Sequence, residues 1–237
     1  MPYGNLASTT QDPTERARLF DEQRAHLERE LGATHLLTLT ERVRSMQFIA
    51  DGALAAGQLD ELCRAFVTWH PHRIDKIDPC AYELASLART LGEPTRARAA
   101  LALVSKSSDP RNRLARAAEQ LLAGDAQTAI VEATRVADEN GNQGPWWARF
   151  WAVEGQLMIA NASAALGDAP RALAAARAAL ALLHGPGFDL QLVYLQRRVA
   201  AAAALIARLT GDPGSASAPA TAAASRRCTA RSARCRA

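Results

Sequence analysis

The chain has 237 residues, of which 49% are apolar, 5% aromatic and 22% charged, so it can bury a substantial core. Its formal net charge is +4, but five of the 28 basic residues and one of the 24 acidic residues follow Gly211, which leaves 23 of each sign in residues 1–211. The body of the chain is therefore neutral, which argues against a nucleic-acid-binding domain with a clustered basic face.

Helix-favouring residues dominate the sequence, because alanine is very abundant and β-branched residues are sparse. This composition predicts an all-α fold. Residues 1–12 precede the first helix pattern and are predicted to be disordered. The first helix is predicted to begin after Asp12, with Glu15 in its first turn, and to end at Gly32.

Residues 31–39, LGATHLLTL, are predicted to form the corner between the first two helices. Gly32 is expected to end one helix and Thr34 to cap the next. Leu37 and Leu39 are expected to enter the packing seam between helices. His35 is then predicted to be a linker residue that satisfies backbone groups at the corner, and it is not a candidate catalyst.

Further helices follow in short, regular segments. They are predicted at residues 36–56, 58–70, 79–91, 94–105, 110–123, 125–140, 146–166, 169–184 and 188–210. Gly-plus-polar turns recur between them, at Gly57, Gly92, Gly124, Gly167 and Gly211, with spacings of 35, 32, 43 and 44 residues. Glycine suits these positions because it adopts the left-handed conformation that follows a helix C-terminus.

Small residues occupy fixed positions around these turns. Seven residues before each glycine stands an alanine: Ala50, Ala85, Ala117, Ala160 and Ala204. Five residues after each glycine stand Leu62, Ala97, Ala129, Ala172 and Ala216. This pattern predicts antiparallel helix pairs that approach closely along a seam of small side chains.

The pattern resembles the tetratricopeptide repeat (TPR), whose unit of two helices has a small residue in the first helix, a turn, and alanines in the second. Ala160, Gly167, Ala172 and Ala179 occupy such positions in the clearest unit. The resemblance implies a right-handed α-solenoid of antiparallel helix pairs, a TPR-like superhelix, over residues 13–211.

The corner at residues 31–39 resembles the L-G-x-x-H-P-x-T-L motif of kinesin-light-chain repeats, with Leu36 where that family has proline. In that register the first helix corresponds to the second helix of a unit whose first helix is missing. The resemblance implies a non-catalytic scaffold that binds a peptide or partner domain in its concave groove. It also implies that the chain is a module or fragment of a larger bacterial signalling protein. One alternative is the C-terminal regulatory region of a serine/threonine kinase of eukaryotic type or of a transcriptional regulator.

Candidate partner-binding residues lie in the predicted first helices, which line the groove of such repeats. Residues 145–151, PWWARFW, place aromatic rings at helical spacing, and core packing accounts for most of this stripe. Trp147 and Trp151 remain candidate anchors for a partner. Several arginines in first helices are candidates to bind partner carboxylates: Arg113, Arg116 and Arg149, and also Arg89, Arg197 and Arg198.

A metal-dependent enzyme is the alternative from another class. Cys63, His70, His72 and Cys80 have ligand-forming side chains within 18 residues. Cys63 also lies on the apolar side of its predicted helix, where a free cysteine is usually a core residue. The phosphate-loop, dinucleotide, H-E-x-x-H and G-x-S-x-G motifs are absent from the sequence, and no cofactor is expected.

Residues 212–237 contain small residues and arginine without bulky apolar groups, which predicts a disordered tail. The longest apolar run, residues 199–207, has nine residues, whereas a helical membrane span needs about 20. The four cysteines form no C-x-x-C pair and no dense disulfide framework. A cytoplasmic location without membrane contact is therefore expected.

Overall fold

The structure is a computed structural model that describes residues 12–46, 49, 51–141, 145–185, 187–188 and 193–211. This part of the chain forms ten α-helices and no strand, which confirms the all-α class. The helices are α1 (Pro13–Leu31), α2 (Leu36–Ser45), α3 (Gly52–Trp69), α4 (Ile74–Thr90), α5 (Pro94–Leu101), α6 (Pro110–Leu122), α7 (Ala126–Asn140), α8 (Trp146–Ala165), α9 (Ala169–Leu183) and α10 (Val193–Thr210). None of these helices has the length and apolar character required to cross a bilayer.

Aspartate side chains cap the N-termini of five helices. Each accepts a hydrogen bond of 2.8 to 3.1 Å from a backbone N–H two or three residues further along the chain. The capping residues are Asp12, Asp51, Asp109, Asp125 and Asp168. These bonds satisfy N–H groups that have no partner within the helix, so the sequence specifies where each helix starts.

The predicted seam of small residues is present in three consecutive helix pairs, α4 with α5, α6 with α7, and α8 with α9. The turns between the paired helices contain Gly92, Gly124 and Gly167, which have φ angles of 74°, 92° and 76°. The alanines seven residues before and five residues after these glycines are at most 1% exposed: Ala85, Ala97, Ala117, Ala129, Ala160 and Ala172. The seam does not continue into α10, because Ala204 is exposed.

Each helix packs on its neighbour in the chain, and α4, α6, α8 and α10 also contact one another in succession. The main apolar cluster runs from Leu39 in α2 to Ile206 in α10 and includes residues of the helices between them. The contact between alternate helices brings α10 against α8 and within reach of α4. This arrangement creates the site described below.

The predicted boundaries of two helices were wrong. The sequence predicts helices at 36–56 and 58–70 with a turn at Gly57, whereas α2 ends at Ser45 and α3 runs unbroken from Gly52 to Trp69. The side chain of Asp51 accepts hydrogen bonds from the N–H groups of Ala53 and Leu54 at 2.8 and 3.1 Å, which fixes the start of α3. Gly57 lies inside that helix, where a glycine costs only about 1 kcal/mol relative to alanine.

Two helix starts also differ from prediction. Helix α4 begins at Ile74, five residues before the predicted start at 79, and continues through Pro79. Asp75 in its first turn pairs with Arg73 through two bonds of 2.8 Å, and a carboxylate at this end of a helix is favourable. Helix α10 begins at Val193, whereas the sequence predicts 188.

At the corner between α1 and α2, His35 caps the second helix, and the prediction that Thr34 does so was wrong. Nδ1 of His35 accepts a hydrogen bond of 3.2 Å from the Leu37 N–H. His70, at the end of α3, donates from Nε2 to the Thr34 carbonyl at 2.8 Å. Leu39 is buried as expected, but Leu37 is 46% exposed and lies outside the seam.

The predicted disorder of residues 1–11 and 212–237 concerns segments outside the described residues, as do the seam positions Ala50 and Ala216.

Two helix-interior glycines provide a matched test of helix packing. A Cβ on Gly155 of α8 would lie 3.0 Å from the carbonyl oxygen of Ala133 and 3.1 Å from the Cβ of Ala137, whereas a Cβ on Gly57 meets nothing within 4 Å. We expect Gly155→Ala to lower the free energy of unfolding by about 1–3 kcal/mol, because α7 and α8 must separate. We expect Gly57→Ala to raise it by roughly 0.5–1 kcal/mol. Urea denaturation followed by circular dichroism measures both changes, and equal stabilities would contradict the close approach of α7 and α8.

Candidate functional site

The two candidate tryptophans of α8 lie in different environments. Trp147 is 54% exposed, and its neighbour Trp146 is 53% exposed. Trp151 is half-buried and makes edge contacts with the rings of Tyr82 at 6.0 Å and Phe150 at 5.2 Å between centroids. Trp151 therefore contributes to helix packing, whereas Trp147 remains accessible to a partner.

Three of the six candidate arginines, Arg113, Arg116 and Arg149, contact other groups of the chain. Arg113 of α6 forms ion pairs with Glu132, at 3.9 Å, and with Glu139, and its side chain is 14% exposed. Arg116 donates a hydrogen bond of 2.9 Å to the backbone carbonyl of Ser107. Arg149 places its guanidinium over the ring of Phe188, 5.5 Å from the centroid.

The four residues of the predicted metal cluster occupy separate places. Cys63 and Cys80 are buried in the core between α3 and α4, while His72 is exposed and His70 binds the Thr34 carbonyl. Contact with the Cys63 thiol, and then burial, raises the pKa of Cys80 well above its usual value, so this thiol stays protonated. In the described part of the chain, no three His, Cys, Asp or Glu side chains are grouped closely enough to hold a metal ion.

The structure instead assembles a buried charged cluster where α4, α8 and α10 meet. Arg198 of α10 donates from its two terminal nitrogens to the carboxylate of Glu83 at 2.9 and 2.7 Å. It also donates from Nε to Glu154 at 2.8 Å. The side chains of Arg198 and Glu154 are only 7% and 6% exposed. One guanidinium therefore joins three helices through charge-assisted bonds.

Tyr82 completes this cluster by donating a hydrogen bond of 2.8 Å to the second oxygen of Glu154. Burial, and then the charge of Glu154, raises the pKa of Tyr82. The hydroxyl therefore remains protonated and serves as a donor. Burial opposes the charge on Glu83, but Arg198 more than offsets this effect and holds the pKa of Glu83 below its usual value.

A cleft of about 340 Å³ lies beside this cluster, between α4, α8 and α10. We call it the three-helix cleft. Its walls are partly apolar, with Leu87 from α4 and Leu91 directly after α4, Leu157 and Met158 from α8, and Ala200, Ala201 and Ala204 from α10. Its polar lining includes Arg89, Arg197 and Asn161 next to Arg198 and Glu154.

Arg89 and Arg197 form no ion pair with any described carboxylate. Arg89 approaches the sulfur of Met158 at 4.0 Å, which is a weak acceptor. Arg197 donates to the backbone carbonyl of Ile49, and its Nε is buried without a partner. Burial lowers the pKa of both side chains, because it removes water from a charge that no neighbouring carboxylate fully balances.

The sequence identified the three arginines of this region but neither the cluster nor the cleft. Arg89, Arg197 and Arg198 were candidates because they lie in predicted first helices. Glu83 and Tyr82 carried no local signal, since they lie 115 and 72 residues from their partners Arg198 and Glu154. Comparisons with models of protein families, with curated proteins and with solved structures find no match to this chain.

The charged cluster predicts a strong effect of removing its cation. We expect Arg198→Met to lower the free energy of unfolding by about 3–5 kcal/mol, because two carboxylates lose their counter-ion and Glu154 stays buried. Adding Glu154→Gln to the Arg198→Met variant should recover part of the lost stability. Arg208→Met, at an exposed position on the same helix, should change stability by no more than about 0.5 kcal/mol. Chemical denaturation of the three variants measures these effects, and similar losses for the two single variants would contradict the cluster.

The lowered pKa of Glu83 predicts that its contribution to the free energy of unfolding depends on pH. Its stabilising contribution is complete above its ordinary pKa of 4.5 and is lost as the pH falls through the lower folded value. We therefore expect Glu83→Gln to be less stable than the wild type at about pH 7, and the difference to narrow toward about pH 3. Glu119→Gln, an exposed substitution in α6, should show no such narrowing. Urea denaturation across this pH range tests the expectation, and a constant difference for Glu83→Gln would refute it.

Proposed function

We propose that this chain is a non-catalytic helical-repeat module that binds a segment of a partner protein. Three helix pairs with the same buried alanine seam support a TPR-like array of antiparallel pairs in a right-handed solenoid. Successive contacts among α4, α6, α8 and α10 support the same arrangement, because the first helices of stacked units meet in this way.

The observation that carries partner binding is the exposure of Trp146 and Trp147 at the start of α8. Each side chain leaves more than half of its surface in contact with solvent. Large aromatic side chains are frequent anchors of protein interfaces, because they bury much apolar area at a small cost in conformational entropy. Trp147 is therefore the proposed anchor for the partner.

The corner at residues 31–39 supports the resemblance to kinesin-light-chain repeats. The motif histidine, His35, caps α2, and the backbone of Thr34 is bound by His70 from the end of α3. A histidine at this corner thus has a structural role in joining successive helices. This role fits a repeat scaffold, in which such corners set the relative position of the pairs.

Selection from a random peptide library displayed on phage tests the proposal with the full chain as bait. We expect enriched peptides that bind with a dissociation constant on the order of 10 µM by isothermal titration calorimetry. Trp147→Ala should weaken binding roughly tenfold or more, because it removes the central aromatic anchor.

Trp69→Ala is the matched control, since Trp69 at the end of α3 is 60% exposed and its loss should leave binding unchanged. Circular dichroism confirms that both variants fold. The proposal fails if no peptide is enriched, or if the enriched peptides bind Trp147→Ala as tightly as the wild type.

A further inference from the structure

The three-helix cleft has the size and the mixed lining of a small-molecule site. Its volume of about 340 Å³ lies at the lower end of the range for ligand pockets. Three helices line this half-open cleft, and the apolar side chains of Leu87, Leu157 and Met158 lie on two of them. Such a lining accommodates a compact molecule with an apolar body and one polar group.

The arginines of the cleft carry one positive charge more than the described carboxylates beside them can neutralise. Arg198 is bound on three nitrogens by Glu83 and Glu154, so these two carboxylates are already engaged. Arg89 and Arg197 lie in the same cleft without a carboxylate partner among the described residues. Among the described residues, the three guanidinium groups of the cleft are thus accompanied by Glu154 in its lining and by Glu83 beside it, and a single negative charge would neutralise the excess.

The hydrogen bonds of the two arginines also leave room for a ligand acceptor. Nε of Arg197 is buried without an acceptor, although buried donors in folded proteins nearly always have one. Arg89 donates from one terminal nitrogen to the thioether sulfur of Met158 at 4.0 Å, which is a weak acceptor. Guanidinium groups bind carboxylates through paired N–H donors, so a carboxylate suits both the charge and the donors.

We propose that the three-helix cleft binds a small amphipathic carboxylate, whose head group contacts Arg89 and Arg197 and whose aliphatic chain packs against Leu87, Leu157 and Met158. The bound molecule supplies the missing negative charge and connects α10 to α4 and α8. This site is independent of the proposed partner surface at Trp147.

Octanoate is the probe for this site, with octan-1-ol as the uncharged analogue of the same chain length. We expect isothermal titration calorimetry of the full chain at about pH 7 to give a dissociation constant on the order of 100 µM for octanoate. Octan-1-ol should bind at least about tenfold more weakly, because it leaves the guanidinium charges unbalanced. Octyl phosphate should bind no more tightly than octanoate, since the excess charge is one. Absence of octanoate binding, equal binding of the alcohol, or tighter binding of the phosphate would overturn the assignment.

Variants of the cleft locate the bound molecule. We expect Arg89→Gln and Arg197→Gln each to weaken octanoate binding about tenfold or more. Arg208→Gln, at an exposed position on α10 outside the cleft, is the matched control and should bind as the wild type does. Full binding by both cleft variants would refute the site.

A steric variant provides a second test that leaves every charge in place. Ala204 is exposed and lines the cleft, so Ala204→Leu narrows the cleft without disturbing the core. We expect this variant to keep the wild-type midpoint of thermal unfolding and to bind octanoate at least severalfold more weakly. Unchanged binding would place the molecule elsewhere on the protein.

Discussion

The position of α10 depends on one buried cation. Arg198 is the only described side chain that donates to both Glu83 and Glu154, and these carboxylates belong to two different helices. Burial of the charges of Arg198 and Glu154 is costly, and replacement by apolar residues often leaves such sites equally stable. The stronger consequence is specificity, because a displacement of α10 that removes the guanidinium from this place would leave both carboxylates without their cation. The cluster thus holds α10 against α4 and α8, and these helices form the walls of the three-helix cleft.

Small side chains make this arrangement possible. Gly155 of α8 lies so close to α7 that a Cβ would meet the Ala133 carbonyl at 3.0 Å, and the alanine seams bring the other helix pairs together in the same way. Aromatic side chains lie where α4, α8 and α10 meet. Tyr82, Trp151, Phe150 and Tyr194 form a continuous series of ring contacts there, at 5.2 to 6.0 Å.

The sequence predicted those features that local chemistry determines. The turns at Gly92, Gly124 and Gly167 followed from glycine and the repeated alanines, and the seam is buried around these three turns but not at Ala204. Gly57 was misread because its neighbours resemble those of the true turns, whereas the cap at Asp51 determines where α3 begins. The charged cluster was not predictable, since the pairing of Glu83 with Arg198 depends on the path of the chain over 115 residues. No local pattern encodes that path.

The charge excess in the cleft follows from two consecutive arginines on one helix. Neighbouring residues on an α-helix point about 100° apart, so Arg197 and Arg198 cannot both face the same pair of glutamates. Arg198 binds both carboxylates, whereas Arg197 donates to the Ile49 carbonyl and lines the cleft. An uncharged side chain at 197 could bond that carbonyl without the cost of burying a charge. A negatively charged ligand in the cleft, as proposed above, would give this guanidinium a counter-ion.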